Sequence, residues 1–97
     1  MTRPKLFQVV PTDTYQVFLY YDDGQIRRYD CSWISDEGGI FEQIKDITAF
    51  KKLCTVMNGT LAWDISGVRD ATRCIDLCPD TIYEESVPSS DPLSRPA

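Results

Sequence analysis

Four cysteines carry the most reactive side chains of this chain, and no histidine accompanies them. Only Cys74 and Cys78 lie close together in the sequence, while Cys31 and Cys54 are far from them and from each other. Structural zinc sites usually have a tight CxxC pair or histidine ligands. The lack of histidine also removes the commonest general base and the usual partner of a nucleophilic cysteine. We therefore predict buried free thiols, no metal site and no cofactor.

Carboxylates are the other candidate catalytic groups, and three of them lie beside apolar strand residues: Asp30, Asp64 and Asp76. A hydrolase with paired carboxylates needs two of them to face each other across a cleft. Most acidic residues here occur instead at turn and helix-end positions, where negative charge is structurally favoured. An ion pair of Asp30 with Arg28 or Arg69 is the simpler interpretation of that residue. We predict no catalytic site.

Composition limits the classes of function that the chain can perform. Its 97 residues, 42% of them hydrophobic, correspond to one small folded domain with a modest core. The formal net charge of −5 argues against direct nucleic-acid binding, because affinity for phosphates comes mainly from Lys and Arg. Such a charge is compatible with a basic protein surface as the partner. No apolar run is long enough to cross a bilayer, and no signal-peptide core follows the first residues, so we expect a cytoplasmic protein.

Residues 15–30 are the stretch around which the other elements are organised. Aromatic and β-branched residues flank Asp23-Gly24, which is a strong hairpin signal. A two-residue loop pairs Val17 with Asp30, whereas a three-residue loop with Gly24 left-handed pairs Val17 with Tyr29. We favour the second register because it keeps Tyr29 with the other apolar residues of its face. That face then contains Val17, Leu19, Tyr21 and Tyr29, and the opposite face contains Phe18, Tyr20 and Ile26.

The remaining elements are short. Strand patterns cover 5–10, 53–57, 60–65 and 73–77, and the second and third of these flank the type I′ turn sequence Asn58-Gly59. Helical patterns begin after Ser32 as a cap, at Ile40, after Asp46 as a cap, and at Pro79 as a first helical residue. The pattern predicts an α+β fold: a small single domain, residues 1–86, with a curved antiparallel sheet containing both hairpins and packed with short helices. Residues 87–97 are proline-rich, and we predict a disordered C-terminal tail there.

The order of these landmarks resembles the DUF2442 family, a small bacterial domain of unknown function, over most of residues 5–87. The most specific parts are the hairpin Asp23-Gly24 and the closing sequence Pro79-Asp80-Thr81-Ile82-Tyr83-Glu84. The resemblance implies a compact α+β domain and no established activity. It also implies a link to small basic proteins, because some members are encoded beside one in an arrangement like that of a toxin–antitoxin pair.

The aromatic residues indicate where a partner would bind. Helices can cover only one face of a sheet that has two partly apolar faces, so the other face becomes an interaction or dimer surface unless the tail and loops cover it.

Our leading hypothesis is a non-catalytic acidic protein that binds another protein, antitoxin-like or as an inhibitor of a basic partner such as a nuclease. The alternative is a small-molecule-binding module or small hydrolase with a pocket between sheet and helices. The candidate partner-binding residues are Tyr20, Tyr21, Arg28, Tyr29, Asp30, Trp63 and Asp64.

Overall fold

A computed structural model describes residues 4–70 and 73–89 of the chain. One sheet contains four antiparallel strands in the order β1-β2-β3-β7. The bounds of these strands are Leu6–Pro11 for β1, Gln16–Tyr21 for β2, Ile26–Asp30 for β3 and Val87–Pro88 for β7. Most of this sheet is built from residues that are close in sequence, and only β7 arrives from the distant end of the chain.

The central hairpin has the register that we favoured. Tyr20 pairs with Ile26 and Val17 pairs with Tyr29. Gly24 has φ of 92°, a left-handed conformation that glycine adopts at little steric cost. The three-residue loop therefore keeps the apolar side chains of both strands on the same face, as the pattern predicted.

The second hairpin lies in a separate sheet, which corrects our expectation of one sheet containing both hairpins. Its strands are β4 (Cys54–Met57), β5 (Thr60–Trp63) and β6 (Ile75–Asp76), in the order β4-β5-β6. The predicted turn is confirmed, since Asn58 and Gly59 have φ of 56° and 75°. Strand β1 packs beside β4, but no described backbone hydrogen bond joins the two. The α+β class itself is confirmed.

Four short helical segments lie within the part of the chain that the structure describes: α1 (Ile34–Glu37), a 3₁₀ helix (Gly39–Ile44), α2 (Ile47–Leu53) and α3 (Pro79–Glu85). The Asp46 side chain caps α2 by accepting a hydrogen bond from the Ala49 amide at 3.3 Å. Pro79 occupies the first turn of α3, as predicted. Ser32 is not the cap of α1, because the helix begins one residue later and Trp33 occupies the cap position without a side-chain hydrogen bond.

The core lies on one face of the four-stranded sheet, which we call the inner face. It contains the apolar set predicted from the hairpin: Val17, Leu19, Tyr21 and Tyr29. Each helical segment contributes one fully or nearly fully buried residue to the same cluster: Ile34, Ile44, Phe50 and Ile82. All the described helices therefore pack on the inner side of the sheet.

The domain extends beyond residue 86. Val87 pairs with Arg28 and Pro88 pairs with Arg27, so these two residues form an edge strand instead of starting the predicted tail. The Ser89 amide continues this pairing by donating to the Ile26 carbonyl at 2.8 Å. The rest of the predicted tail, residues 90–97, lies outside the described residues. No helix among residues 4–70 and 73–89 is both long and apolar enough to span a membrane.

Candidate protein-binding surface

The opposite side of the four-stranded sheet, its outer face, is defined by the strand register. Directly opposed residues of antiparallel strands share a face, and side chains alternate along each strand. One row across the sheet therefore contains Gln8, Tyr20 and Ile26, and the next contains Val10, Phe18, Arg28 and Val87. A third row contains Gln16 and Asp30. The first two rows of the outer face are thus mostly apolar, with Gln8 and Arg28 as their polar members, and the third row is polar.

A β-bulge adds an aromatic residue to this face. The pairing between β1 and β2 shifts between Leu6 and Gln8, so Phe7 is the additional residue. Its ring lies against the Tyr20 ring in an edge-to-face arrangement, with 6.5 Å between the centroids. Phe7 remains 58% exposed, whereas Tyr20 is only 7% exposed. The bulge therefore makes Phe7, and not Tyr20, the accessible aromatic residue of the outer face.

The other end of the outer face is also accessible. Val87, on the edge strand β7, is 46% exposed. Arg28 and Asp30 are exposed on the neighbouring strand β3. The Asp30 carboxylate accepts a hydrogen bond from the Ser32 amide at 2.9 Å, which positions it beside the end of the strand. A partner would therefore meet apolar groups at both ends of the face and a charged residue at its margin.

The structure brings together only part of the predicted site. Arg28 and Asp30 are exposed on the outer face, and Tyr20 lies on that face but is only 7% exposed. Tyr21, Tyr29 and Trp63 are at most 5% exposed and belong to the core. A side chain in this core has no surface for a partner to contact. Alternation along β2 thus separates the two adjacent tyrosines, as we expected, with Tyr21 on the inner face.

Trp63 has a structural role. It is fully buried, its indole N–H donates to the Phe50 carbonyl at 3.2 Å, and its ring packs on the Phe50 ring at 5.6 Å. Trp33, the other tryptophan of the chain, packs edge-to-face on Phe41 at 5.1 Å. Trp63 therefore does not line a pocket between the sheet and the helices.

Asp64 organises a loop at the end of β5. Its carboxylate accepts hydrogen bonds from the Ser66 hydroxyl at 2.6 Å, the Gly67 amide at 3.2 Å and the Arg69 amide at 2.7 Å. These donors favour the charged carboxylate and lower the pKa of Asp64, with the Ser66 hydroxyl as the main cause. Since the carboxylate points into its own loop, we assign Asp64 to loop structure and not to partner binding.

Arg27 forms a cluster that the sequence did not indicate. Arg27 Nε and Nη2 donate to the Ser86 hydroxyl and carbonyl, both at 2.7 Å. Its guanidinium also stacks over the Tyr83 ring, 4.7 Å from the centroid. Because Arg27 lies on the inner side of β3, it fastens the end of α3 to the sheet. The only sequence signal was the alternation of the two arginines along the strand.

The cysteines are free thiols in very different environments. Burial raises the pKa of the Cys31 thiol strongly and that of Cys54 to about 12. Cys78 is exposed, and hydrogen bonds from Thr81 are the main reason that its pKa is lowered. Among residues 4–70 and 73–89, no three cysteine or acidic side chains are grouped so that they could hold a metal ion.

The fold and the site together define a small α+β domain with an apolar outer sheet face. The chain belongs to the DUF2442 family, described as a protein of unknown function, whose model matches residues 7–88. The match begins at the exposed Phe7 and ends at Pro88 in the edge strand β7. Searches of curated proteins and of solved structures returned no match.

Proposed function

We propose that this protein is a non-catalytic interaction protein that binds another protein through the outer face of its four-stranded sheet. The observation that carries the proposal is the exposure of Phe7 and Val87 at opposite ends of one apolar face. Monomeric proteins rarely expose contiguous apolar patches of more than a few hundred Å², and such patches often mark interfaces. The described helices pack on the other face, so they do not shield these residues.

Net charge supports a basic partner. The chain carries 15 acidic and 10 basic residues, and the resulting field attracts a positively charged protein over a longer range than apolar contact does. An antitoxin-like role, or inhibition of a basic enzyme such as a nuclease, is the form of this function that we favour. Four free thiols are typical of a reducing compartment, which supports a cytoplasmic location as part of this proposal.

Co-expression with the product of a neighbouring gene that encodes a small basic protein tests the proposal. We expect the two proteins to co-purify in a defined ratio. Replacement Phe7→Asp should abolish co-purification, because it places a charge in the apolar contact at an exposed position. The matched control is Ile40→Asp, since Ile40 is 60% exposed on the 3₁₀ helix, whose Ile44 packs on the inner side. Equal co-purification of wild type and both variants would contradict a role for the outer face.

A further inference from the structure

A groove runs along the side of β4 that faces β1, between the two sheets. Its first part, a cleft of about 290 Å³, is lined by residues 7–9 of β1 and residues 54–56 of β4. Its second part, of about 300 Å³, extends to Lys52 and to the loop after β5. Arg69 and two residues of β4 line both parts, and we call the two parts together the β4 groove. Each part has a volume at the lower end of the range for small-molecule sites.

Strand β4 directs a backbone N–H group into this groove. In an antiparallel pair, every second residue bonds to the neighbouring strand, and the residues between them point away from it. The Asp64 amide donates to the Leu53 carbonyl at 2.9 Å, so Val56 is one of the residues that point away from β5. The Val56 carbonyl accepts a hydrogen bond from Arg69, whereas no acceptor within residues 4–70 and 73–89 receives the Val56 N–H.

Strand β1 contributes a second N–H group from the opposite side of the groove. The Thr12 amide donates to the Gln16 carbonyl at 2.8 Å, so the same alternation turns the Val9 backbone away from β2 and towards β4. The Val9 N–H also lacks an acceptor in the described part of the chain. Both residues are half-buried, and a half-buried donor without an acceptor favours a ligand that supplies one.

Arg69 holds a guanidinium group in the same groove. Its Nη1 donates to the Thr55 hydroxyl and its Nη2 to the Val56 carbonyl, both at 3.1 Å. Its backbone has φ of 58°, a left-handed conformation that few non-glycine residues adopt, and the Asp64 carboxylate accepts a hydrogen bond from its amide at 2.7 Å. One edge of the guanidinium is thereby fixed, and its Nε–H, on the other edge, has no partner among the described residues.

The charges in the groove favour an anion. Lys52 and Arg69 are exposed cations, and Asp64 is the one carboxylate among the described residues that line either part. Asp64 is only 8% exposed and already accepts three hydrogen bonds from its own loop. Two cations and one carboxylate leave one positive charge in the groove, although the whole chain carries −5. At the β1 end, Phe7 is 58% exposed and provides an apolar wall.

The space between the strands excludes an extended peptide as the occupant. A strand inserted between β1 and β4 would need two strand spacings, or about 9.6 Å, between its neighbours. Cα atoms of β1 and β4 instead approach within 8 Å of each other. A ligand of the groove must therefore be smaller than a peptide strand.

We propose that the β4 groove binds a small organic anion whose carboxylate or phosphate group contacts Arg69 and whose apolar part contacts Phe7. The free edge of the guanidinium donates to the oxygen atoms of the anion, and a planar fork of this kind suits both carboxylate and phosphate. The Val56 and Val9 N–H groups are further donors from the two strand edges. Lys52 adds positive charge at the other end of the groove.

Titration of the full chain with four small molecules tests this site. Benzoate and phenyl phosphate carry the two anionic groups, benzamide is a neutral molecule with the same ring, and acetate lacks the ring. We expect both ring-bearing anions to shift the Val9 and Val56 amide signals in NMR spectra until saturation, and their relative affinities distinguish carboxylate from phosphate. Benzamide and acetate should each bind at least about threefold more weakly than benzoate.

Variants of the two cations examine the role of each. Arg69→Gly removes the guanidinium but permits the left-handed backbone, and it should weaken benzoate binding by about tenfold or more. Arg69→Lys should recover only part of this loss, because an ammonium group lacks the planar fork. Lys52→Ala should weaken binding by about threefold, whereas Lys45→Ala, which removes an exposed cation outside the groove, should leave the affinity within about twofold. Thermal unfolding verifies that each variant is folded.

Several outcomes would overturn the inference. Lack of saturable shifts with either ring-bearing anion at about 10 mM would exclude the site, since a ligand of this size should bind in the millimolar range. Equal binding of benzamide and benzoate would show that the anionic group is not recognised. Equal losses in Lys45→Ala and Arg69→Gly would indicate attraction by net charge alone, and shifts confined to amides away from residues 7–9 and 54–56 would place the ligand elsewhere.

Discussion

The adjacent residues Arg27 and Arg28 provide the sharpest test of how the fold is held together. Arg27 donates two hydrogen bonds to Ser86 and a third, from Nη1, to the Gln25 side-chain oxygen at 3.2 Å. Arg28 is exposed on the outer face, and its side chain makes no hydrogen bond or ion pair with another described residue. We expect Arg27→Ala to destabilise the protein strongly and Arg28→Ala to have almost no effect.

The magnitude follows from the contacts of Arg27. Ser86 is only 4% exposed, so loss of the Arg27 donor leaves a buried carbonyl that no longer receives this hydrogen bond, at a cost of about 1–3 kcal/mol. Loss of the stacking on Tyr83 adds about 0.5–1 kcal/mol. Since Arg27 is itself partly exposed, we expect about 2 kcal/mol in total, or about 8–16 °C in Tm for a domain of this size.

Urea unfolding followed by circular dichroism measures this difference. Arg28→Ala is the matched control, with an expected change below about 0.5 kcal/mol. Arg27→Lys should recover less than half of the loss, because an ammonium group cannot reproduce the planar fork that contacts both oxygens of Ser86. Equal stability of Arg27→Ala and Arg28→Ala would refute the conclusion that Arg27 fastens α3 to the sheet.

Three further predictions concern other parts of the molecule. Because the pKa of Asp64 is lowered, its contribution to stability is present above its ordinary value of 3.8 and is lost as the pH falls below it; the protection factor of the Arg69 amide against hydrogen exchange should fall in that range, and Asp64→Asn should remove this fall. A thiol reagent at neutral pH should modify Cys78 first and Cys31 only after unfolding, as measured by mass spectrometry with time; simultaneous modification would contradict the buried position of Cys31. Leu19→Ala should cost about 2–5 kcal/mol in chemical unfolding, since Leu19 is fully buried; a cost below about 1 kcal/mol would contradict its place in the core.

Several features of this fold could be predicted because they depend on neighbouring residues. The three-residue loop at Gly24, the turn at Asn58-Gly59 and the cap at Asp46 each arise from the backbone preference or hydrogen-bonding capacity of a few adjacent side chains. The inner face of the hairpin followed from the alternation of apolar residues along two strands. Alternation also placed Tyr20 and Tyr21 on opposite faces of the sheet, but it did not indicate that both side chains would be buried.

Contacts between distant residues were decided only by the tertiary structure. The sequence indicated two hairpins, but their assignment to two sheets depends on which strand edges meet. Strands β1 and β4 are separated in the sequence by β2, β3 and three helical segments, so their relative position is not a local property. The bulge that exposes Phe7 arises from the pairing of β1 with β2, and nothing in the composition of β1 signals it.

Arg27 shows the same limit at a single residue. Its two partner atoms belong to Ser86, 59 residues further along the chain. The sequence Arg27-Arg28 reads the same whether one, both or neither of the two side chains has a hydrogen-bond partner in the fold. By itself, the sequence determined most of the elements, the cap at Asp46 and the apolar face of the hairpin, because local backbone preferences and side-chain alternation control them. Only the packing of α3 and β7 against β3 decided that Arg27 supports the fold while Arg28 faces solvent, since that contact depends on loop closure over most of the chain.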